Sequence, residues 1–283
     1  MLKLIECPRD AMQGLHQWIP TETKANYLQA LLGVGFDTLD FGSFVSPKAI
    51  PQMRDTAAVL ERLDLSATRT KLLAIVANRR GATDAARFEQ IDYLGYPFSI
   101  SETFQLRNTN ATIEESLDRV REMLDICTGA GKEMVVYISM GFGNPYGDPW
   151  NVDVVQHWVH TLAELGVRIF QLSDTIGVST PDSISYLFSN LIPNHPNLEI
   201  GAHLHTTPDT WREKIEAAYT SGCRRYDGAI RGYGGCPMAK DDLTGNMPTE
   251  HLVHYFDEQH ENDGVDYQAF LRCLNLSGLV FPA

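Results

Sequence analysis

Hydrophobic residues along this chain fall into short, nearly continuous runs that alternate with stretches of helical periodicity. The run VVYI at 135–138 is representative, and runs of this kind are typical of parallel strands that are buried on both faces. The pattern predicts eight strands, at 2–7, 38–41, 71–77, 96–100, 133–140, 168–172, 198–203 and 225–230.

Apolar positions spaced three and four residues apart predict a helix after each strand. Capping signals support several of them, since residues 112–115 (TIEE) form a capping box and Thr180 precedes a proline at a first helical position. Glycines follow several predicted helix ends, where a left-handed conformation favours this residue. The predicted helices lie at 24–32, 52–63, 82–90, 114–130, 152–165, 181–191 and 209–220, and an eighth begins near Thr249.

Eight strand–helix units in about 250 residues match the (β/α)8 TIM barrel. The main alternative within the α/β class is a doubly wound open sheet, which is less favoured because no GxGxxG motif follows the first strand. We predict a barrel catalytic domain over residues 1–260 and a short C-terminal extension, residues 261–283, packed on the barrel.

Composition narrows the possible partners. The content of 43% hydrophobic and 21% charged residues is ordinary for a globular protein. A net charge of −13 disfavours nucleic acid, because binding to phosphates needs a basic surface. No apolar run reaches the roughly 20 residues of a membrane span, and the first residues do not resemble a signal peptide. Five scattered cysteines without a CxxC motif indicate a reducing compartment, so we expect a cytoplasmic protein.

Polar side chains stand at the carboxyl ends of many predicted strands, where an α/β barrel keeps its catalytic residues. Asp10 follows the first strand, Asp40 belongs to the second, and His203 ends the seventh. Such groups are costly to bury unless they are paired, so their convergence on one rim favours a functional site over a structural polar cluster.

The sequence His203-Leu204-His205 points to a metal. Side chains at i and i+2 of a strand share a face, and neutral imidazole is the commonest side-chain metal ligand. We predict a divalent cation bound by Asp10, His203, His205 and Asn246. Oxygen and nitrogen ligands without a thiolate suit Mg²⁺ or Mn²⁺, and zinc is less favoured. The alternative is a pair of histidines that are hydrogen-bonded in a polar core.

Several motifs resemble those of the 3-hydroxy-3-methylglutaryl-CoA lyase family, within the metal-dependent TIM-barrel lyases and condensing enzymes. The SFVSPK run and the GGCP loop are specific to the lyases, whereas Arg-Asp and His-x-His also occur in related synthases. The matching stretches are PRD at 8–10 with Gln13, SFVSPK at 43–48, PQM at 51–53, SE at 101–102, IEESL at 113–117, DTIGV at 174–178, HLH at 203–205, GGCP at 234–237 and GN at 245–246.

The resemblance implies roles for individual residues. It implies that the residues matching the metal ligands hold a divalent ion and that Arg9 stabilises the enolate of a CoA thioester. It also implies that Cys236, on a glycine-rich loop, takes part in proton transfer. The predicted catalytic residues are Arg9, Asp40, His203 and Cys236. The predicted substrate-binding residues are Gln13, Ser43, Asp174 and Arg231.

The chain departs from the family at several positions near the predicted site. The acid at the end of the second strand is usually glutamate and is here Asp40, and the acid after His-x-His is replaced by Thr206. An acid normally stands four residues before the arginine, but here Glu6 stands three before it and points to the other face. Arg231 occupies the place of a small residue, where it could contact a carboxylate or block the usual acyl group.

Three functions therefore remain open at this stage. The leading hypothesis is a lyase that cleaves a 3-hydroxy-3-methylglutaryl-CoA-type thioester to acetyl-CoA and acetoacetate. The second is a related aldolase-type lyase or acetyl-CoA condensing enzyme that acts on another hydroxy acid. The third is a barrel that binds metal and acyl-CoA without turnover. We expect an acyl-CoA or hydroxy-acid partner, no membrane or nucleic acid, and a possible homodimer or homotetramer.

Overall fold

The computed structural model describes residues 1–235, 245–261 and 264–281. Within these residues, eight parallel strands close into a barrel in which the last strand pairs with the first. The predicted (β/α)8 barrel is confirmed. Two further strands of two residues each, β8 and β10, form a separate antiparallel pair. The strands are β1 (Lys3–Glu6), β2 (Thr38–Ser43), β3 (Lys71–Ile75), β4 (Tyr93–Ser99), β5 (Glu133–Ser139), β6 (Ile169–Ser173), β7 (Glu199–His203), β8 (His205–Thr206), β9 (Arg225–Gly228) and β10 (Gly245–Asn246).

Helices surround the barrel and follow the predicted order. The stretch predicted as one helix at 52–63 is instead a 3-10 turn, Pro51–Met53, followed by a short α-helix. The α-helices are α1 (Pro8–Gln13), α2 (Thr21–Leu32), α3 (Thr56–Leu60), α4 (Arg79–Ala86), α5 (Glu102–Thr109), α6 (Ile113–Gly129), α7 (Val152–Leu165), α8 (Pro181–Asn194), α9 (Trp211–Thr220), α10 (Thr249–Glu258) and α11 (Tyr267–Val280). The sequence analysis does not predict α1, α5 or α11 as helices. Helices α1 and α5 are short and lack an apolar stripe of helical period.

Strand β4 begins at Tyr93, three residues before the predicted start. Gly95 interrupts the hydrophobic run there, and a Cβ at this position would lie 2.6 Å from the Ile75 side chain inside the barrel. The barrel interior is filled by side chains from alternate strand positions, which form a cluster separate from the larger core between strands and helices. This inner cluster comprises Leu73, Ile75, Tyr93, Val135, Tyr137 and Ile169.

Helix α6 starts as its sequence predicts. The Thr112 hydroxyl accepts a hydrogen bond from the Glu115 backbone N–H at 3.0 Å, and the Glu115 carboxylate accepts one from the Thr112 backbone N–H at 2.8 Å. This reciprocal pair is a capping box, and it satisfies two donors that a helix start leaves without partners. Thr180 caps α8 in the same way.

The last helix, α11, packs against α2. Its Phe270 ring stands edge-on to Phe36 at 6.3 Å, and Phe281 beyond its end stands edge-on to Tyr27 at 5.9 Å. The helix therefore shares a hydrophobic core with the barrel, while the division of the chain at residue 260 stays a prediction. In the described part of the chain, no helix is long and apolar enough to cross a membrane.

Candidate active site

A cavity of about 540 Å³ opens at the carboxyl ends of the barrel strands. Part of its lining is apolar and includes Val45, Ile50 and Phe104. Its polar lining includes six of the eleven predicted site residues, which the structure thus brings together in one place. These six are Arg9, Asp10, Gln13, Ser43, His203 and His205.

Helix α1 places the first two of these residues. It begins at Pro8, directly after β1, and proline fits a first helical position because its missing N–H would have no partner there. Arg9 and Asp10 therefore lie in the first turn, above the end of the barrel. Gln13, one turn later, donates from Nε2 to Asp10 Oδ1 at 2.6 Å and so holds that carboxylate in place.

Arg9 is clamped between two carboxylates. Its Nε lies 3.0 Å from Asp40 Oδ2, its Nη2 lies 2.5 Å from the same oxygen, and its Nη1 lies 2.9 Å from Asp10 Oδ1. Burial lowers the pKa of Arg9, but the charges of Asp40 and Asp10 raise it by more, so the guanidinium stays ionised. The result is a fixed positive charge at the edge of the cavity.

Asp40 lies beneath Arg9 and is fully buried, so it does not line the cavity. Burial raises the pKa of Asp40 to about 6, against the opposing effect of Arg9. The register of β2 against β3 shifts between Asp40 and Gly42. A Cβ at Gly42 would lie 2.4 Å from the Thr56 side chain, so the strand passes close to α3 at this point. Asp40 thus acts on the cavity through Arg9.

Asp10, His203 and His205 form a cluster that could hold a cation. One potential ligand atom from each lies within 4.8 Å of the others. Burial raises the pKa of Asp10, but the charges of Arg9 and His203 lower it below its usual value. Burial lowers the pKa of His205 to about 4, so this imidazole is neutral and its lone pair is free to bind a metal at neutral pH.

Asn246 reaches the same cluster through the small sheet. Strand β10 pairs with β8 so that Asn246 stands opposite His205. The Asn246 amide donates to Asp10 Oδ2 at 2.7 Å and to the backbone oxygen of Tyr233 at 2.9 Å. All four predicted ligands therefore meet, although Asp10 and Asn246 are 236 positions apart in the chain.

Two functional candidates escaped the sequence analysis. Asp227, on β9, binds His203 Nδ1 through its Oδ2 at 2.9 Å. Tyr137, on β5, lines the cavity edge-on to His203 at 5.7 Å, and its buried hydroxyl has no hydrogen-bond partner among the described residues. Both occupy inward positions of predicted strands. The alternation of strand side chains could have marked Asp227, since a carboxylate inside a barrel needs a partner.

Two residues predicted to bind substrate lie elsewhere. Asp174 is fully buried and bonded to Lys214 Nζ at 2.9 Å and to the Ser179 hydroxyl at 2.5 Å. Arg231 is exposed and donates to the backbone oxygen of Leu274 on α11 at 3.1 Å. Neither lines the cavity, and their contact with substrate stays a prediction. Both turn away from the rim towards neighbouring helices. Cys236 lies outside the described residues.

The HMGL-like family matches residues 3–276. The chain belongs to this family. A cytoplasmic 3-hydroxy-3-methylglutaryl-CoA lyase from Danio rerio is 32% identical over 268 residues, which cover 94% of this chain and 78% of that protein. The predicted family is therefore confirmed.

Solved structures of HMGL-like relatives share the whole fold. The HMG-CoA lyase from Brucella melitensis superposes with a TM-score of 0.90 at 27% identity, covering 99% of this chain and 98% of that chain. An HMG-CoA lyase from Acinetobacter baumannii, solved with coenzyme A and 3-methylmalate, has a TM-score of 0.90 at 28% identity and covers 99% and 91%.

Proposed function

We propose that the protein is a divalent-metal-dependent carbon–carbon lyase that cleaves 3-hydroxy-3-methylglutaryl-CoA to acetyl-CoA and acetoacetate. One observation carries the proposal: the Arg9 guanidinium and the Asp10–His203–His205 cluster line the same cavity. A fixed guanidinium charge beside a group of potential metal ligands suits a reaction in which negative charge develops on an oxygen. Relatives named hydroxymethylglutaryl-CoA lyase support the choice of substrate.

The donor set fits a divalent cation. A carboxylate, two imidazoles and an amide lie together, the ligands belong to buried elements, and His205 is uncharged. We propose that Asp10, His203, His205 and Asn246 bind Mg²⁺ or Mn²⁺, because the set supplies carboxylate and amide oxygens beside the two imidazoles and contains no thiolate. When bound, such an ion lowers the pKa of a coordinated hydroxyl and orients it.

The reaction breaks the C2–C3 bond of the substrate. The C3 hydroxyl loses its proton and C3 becomes the keto carbon of acetoacetate, while the bonding electrons pass to C2 as the enolate of acetyl-CoA. Protonation of C2 then completes the product. Arg9 is placed to stabilise the enolate oxygen, and Asp40 holds the guanidinium in the required orientation. His203 acts through the metal site.

The remaining contacts with substrate come from the cavity walls. Gln13, Ser43 and the Tyr137 hydroxyl offer polar contacts to the acyl group, and Tyr137 has an unused donor. The apolar wall suits the thioester arm, in agreement with the relative that was solved with coenzyme A. A buried donor that pairs only with bound substrate favours binding in one orientation.

The proposal is tested by a coupled assay for acetyl-CoA, with protein that has been stripped of metal and then reloaded with Mg²⁺ or Mn²⁺. We expect turnover of 3-hydroxy-3-methylglutaryl-CoA only after reloading. Absence of turnover in folded, metal-loaded protein would reject this substrate. A panel of other hydroxy acids, and of acetyl-CoA with 2-oxo acids, would then identify the aldolase-type or condensing alternative.

The Arg9→Met variant tests the role of the guanidinium. We expect kcat to fall by roughly 10²–10³-fold, as for the loss of one oxyanion-stabilising group, with Mn²⁺ still bound. Arg212→Met, at an exposed ion pair with Glu258, is the matched control and keeps full activity. Equal kcat values for the Arg9 variant and the parent protein would contradict the assignment.

We further propose that Cys236 takes part in proton transfer, which rests on family resemblance and on its place in the GGCP motif. Cys236→Ser is expected to slow turnover sharply while Mn²⁺ affinity, measured by titration, stays unchanged. If the variant turned over at the parent rate, the thiol would have no role in the mechanism.

Location and assembly are also part of the proposal. We propose a cytoplasmic enzyme, on the basis of the cysteine usage, that self-associates as a homodimer or homotetramer. Light scattering coupled to gel filtration measures the assembly directly, and a mass of one chain, 31.6 kDa, would contradict it.

A further inference from the structure

His203 is shared by two clusters of potential ligands. On one side it lies with Asp10 and His205, and on the other with Cys7 and Asp227. One imidazole cannot serve both clusters with the same nitrogen. Which side it serves depends on where the ring carries its proton, because only the unprotonated nitrogen binds a metal.

The hydrogen bond to Asp227 decides this question. Asp227 Oδ2 lies 2.9 Å from His203 Nδ1, and the side chain of Asp227 is almost fully buried. A carboxylate in this position accepts a hydrogen bond from Nδ1–H, which leaves Nε2 without a proton on the side of the cavity. The other carboxylate oxygen, Oδ1, accepts a hydrogen bond from Gln171 Nε2.

Gln171 is itself held in one orientation. It is fully buried, and a Cβ at Gly201 would lie 1.9 Å from its Oε1 and 2.9 Å from the Arg225 side chain. The Gln171 amide oxygen thus lies beside the Arg225 side chain, without a hydrogen-bond partner among the described residues. Turning the amide over would place its oxygen against the Asp227 carboxylate, two acceptors together, so the Nε2 end stays on Asp227.

We propose that Gln171 and Asp227 are positioning residues that set the tautomer of His203 and turn its Nε2 towards Asp10 and His205. Gly201 is part of this arrangement, because any side chain there would displace the Gln171 amide. The consequence for catalysis rests on the proposed function, but the tautomer itself does not. Both residues lie inside the barrel, and neither lines the cavity.

The Asp227→Asn variant gives the sharpest test. The Gln171 Nε2 donor would still require an oxygen acceptor. The amide introduced at position 227 would therefore keep its oxygen on Gln171 and turn its nitrogen to His203 Nδ1. That nitrogen donates, and the imidazole must then carry its proton on Nε2. We expect ¹⁵N NMR of the metal-free protein, at a pH where His203 is neutral, to show the tautomer reversed. Mn²⁺ affinity should fall by roughly 10–100-fold.

A double variant separates positioning from simple destabilisation. Gln171→Met alone should weaken Mn²⁺ binding, because Asp227 loses its anchor. In the Asp227→Asn background the same change frees the amide to turn its oxygen to His203. We therefore expect the double variant to regain the original tautomer and to bind Mn²⁺ more tightly than Asp227→Asn alone.

Gln52→Met is the matched control. Gln52 is also buried and hydrogen-bonded, to the backbone N–H of Ile19 and to two carbonyl oxygens, but it lies away from His203. It should cost stability without changing the His203 spectrum. An unchanged tautomer in Asp227→Asn, or a double variant weaker than both single variants, would overturn the proposal. Failure of the lyase assay would leave both of these readouts intact.

Discussion

Glu6 is a carboxyl group sealed away from water at the end of β1. Its Oε1 accepts a hydrogen bond from the Ile230 backbone N–H at 3.0 Å, and its Oε2 accepts one from the Thr249 hydroxyl at 2.5 Å. Burial raises the pKa of Glu6 to about 8, although both hydrogen bonds lower it. The carboxyl group faces the start of α10 rather than the cavity, as its position three residues before Arg9 predicts.

The Glu6→Gln variant tests this protonation state. The folded protein keeps a proton on Glu6 up to about pH 8, whereas the unfolded chain releases it near its ordinary pKa of 4.5. Between these values the folded state binds more protons, so Glu6 makes the free energy of unfolding fall as pH rises, by at most about 1.4 kcal/mol per pH unit. Glutamine removes this contribution.

We expect urea unfolding to show that Glu6→Gln gains stability relative to the parent as pH increases through this window, with the difference constant at higher pH. Glu258→Gln, at an exposed ion pair, is the control for loss of a carboxylate and should lack this trend. Parallel stability curves for the parent protein and Glu6→Gln would show that Glu6 is ionised in the folded state.

The start of helix α6 is set by local contacts that can be recognised in the sequence. The capping box pairs Thr112 with Glu115 through two hydrogen bonds, and the helix then runs to Gly129. By contrast, β8 and β10 are two residues each and form only because two distant segments pair at the barrel rim, where the Met247 backbone N–H also donates to the Leu204 backbone oxygen at 3.0 Å. Elements of the first kind are predictable, and those of the second kind are not.

Thr112→Ala should remove the cap of α6. We expect a loss of about 1 kcal/mol in the free energy of unfolding, because the Glu115 backbone N–H loses its acceptor. Thr128→Ala, at an exposed position in the last turn of the same helix, is the control and should change stability little. Chemical denaturation measures both, and equal effects would show that the cap contributes nothing.

Closure of the barrel brings the proposed metal ligands together from three distant parts of the chain. Asp10 comes from α1, the two histidines from the end of β7 and from β8, and Asn246 from β10. A ligand that binds only this assembled site stabilises the whole fold. Cation binding and global unfolding are therefore linked.

Mn²⁺ at 100 times its Kd should raise the free energy of unfolding by about 2.7 kcal/mol, visible as a higher Tm that a chelator reverses. His205→Ala should abolish this increase. His160→Ala changes an exposed histidine on α7 and should retain it. A parent protein whose Tm does not respond to Mn²⁺ or Mg²⁺ would contradict the proposed metal site.

Local pattern was enough for the order of the eight barrel strands and the main helices between them, the capping box of α6, the N-cap of α8 and the rim position of Asp10, His203 and His205. Hydrophobic runs, helical periodicity and turn residues are local signals that span a few positions, so they do not depend on the tertiary structure. The i, i+2 spacing of the two histidines likewise does not depend on the tertiary structure. These features came from the amino-acid sequence by itself.

Only the tertiary structure decided which polar groups meet. It paired Arg9 with Asp40, joined Gln171 to Asp227 and His203, and turned Arg231 onto α11 instead of the cavity. Such contacts join residues far apart in the chain, and they depend on barrel register and closure. Alternation along a strand tells which face a side chain occupies, but the partner it finds there is set by strands and helices elsewhere in the fold.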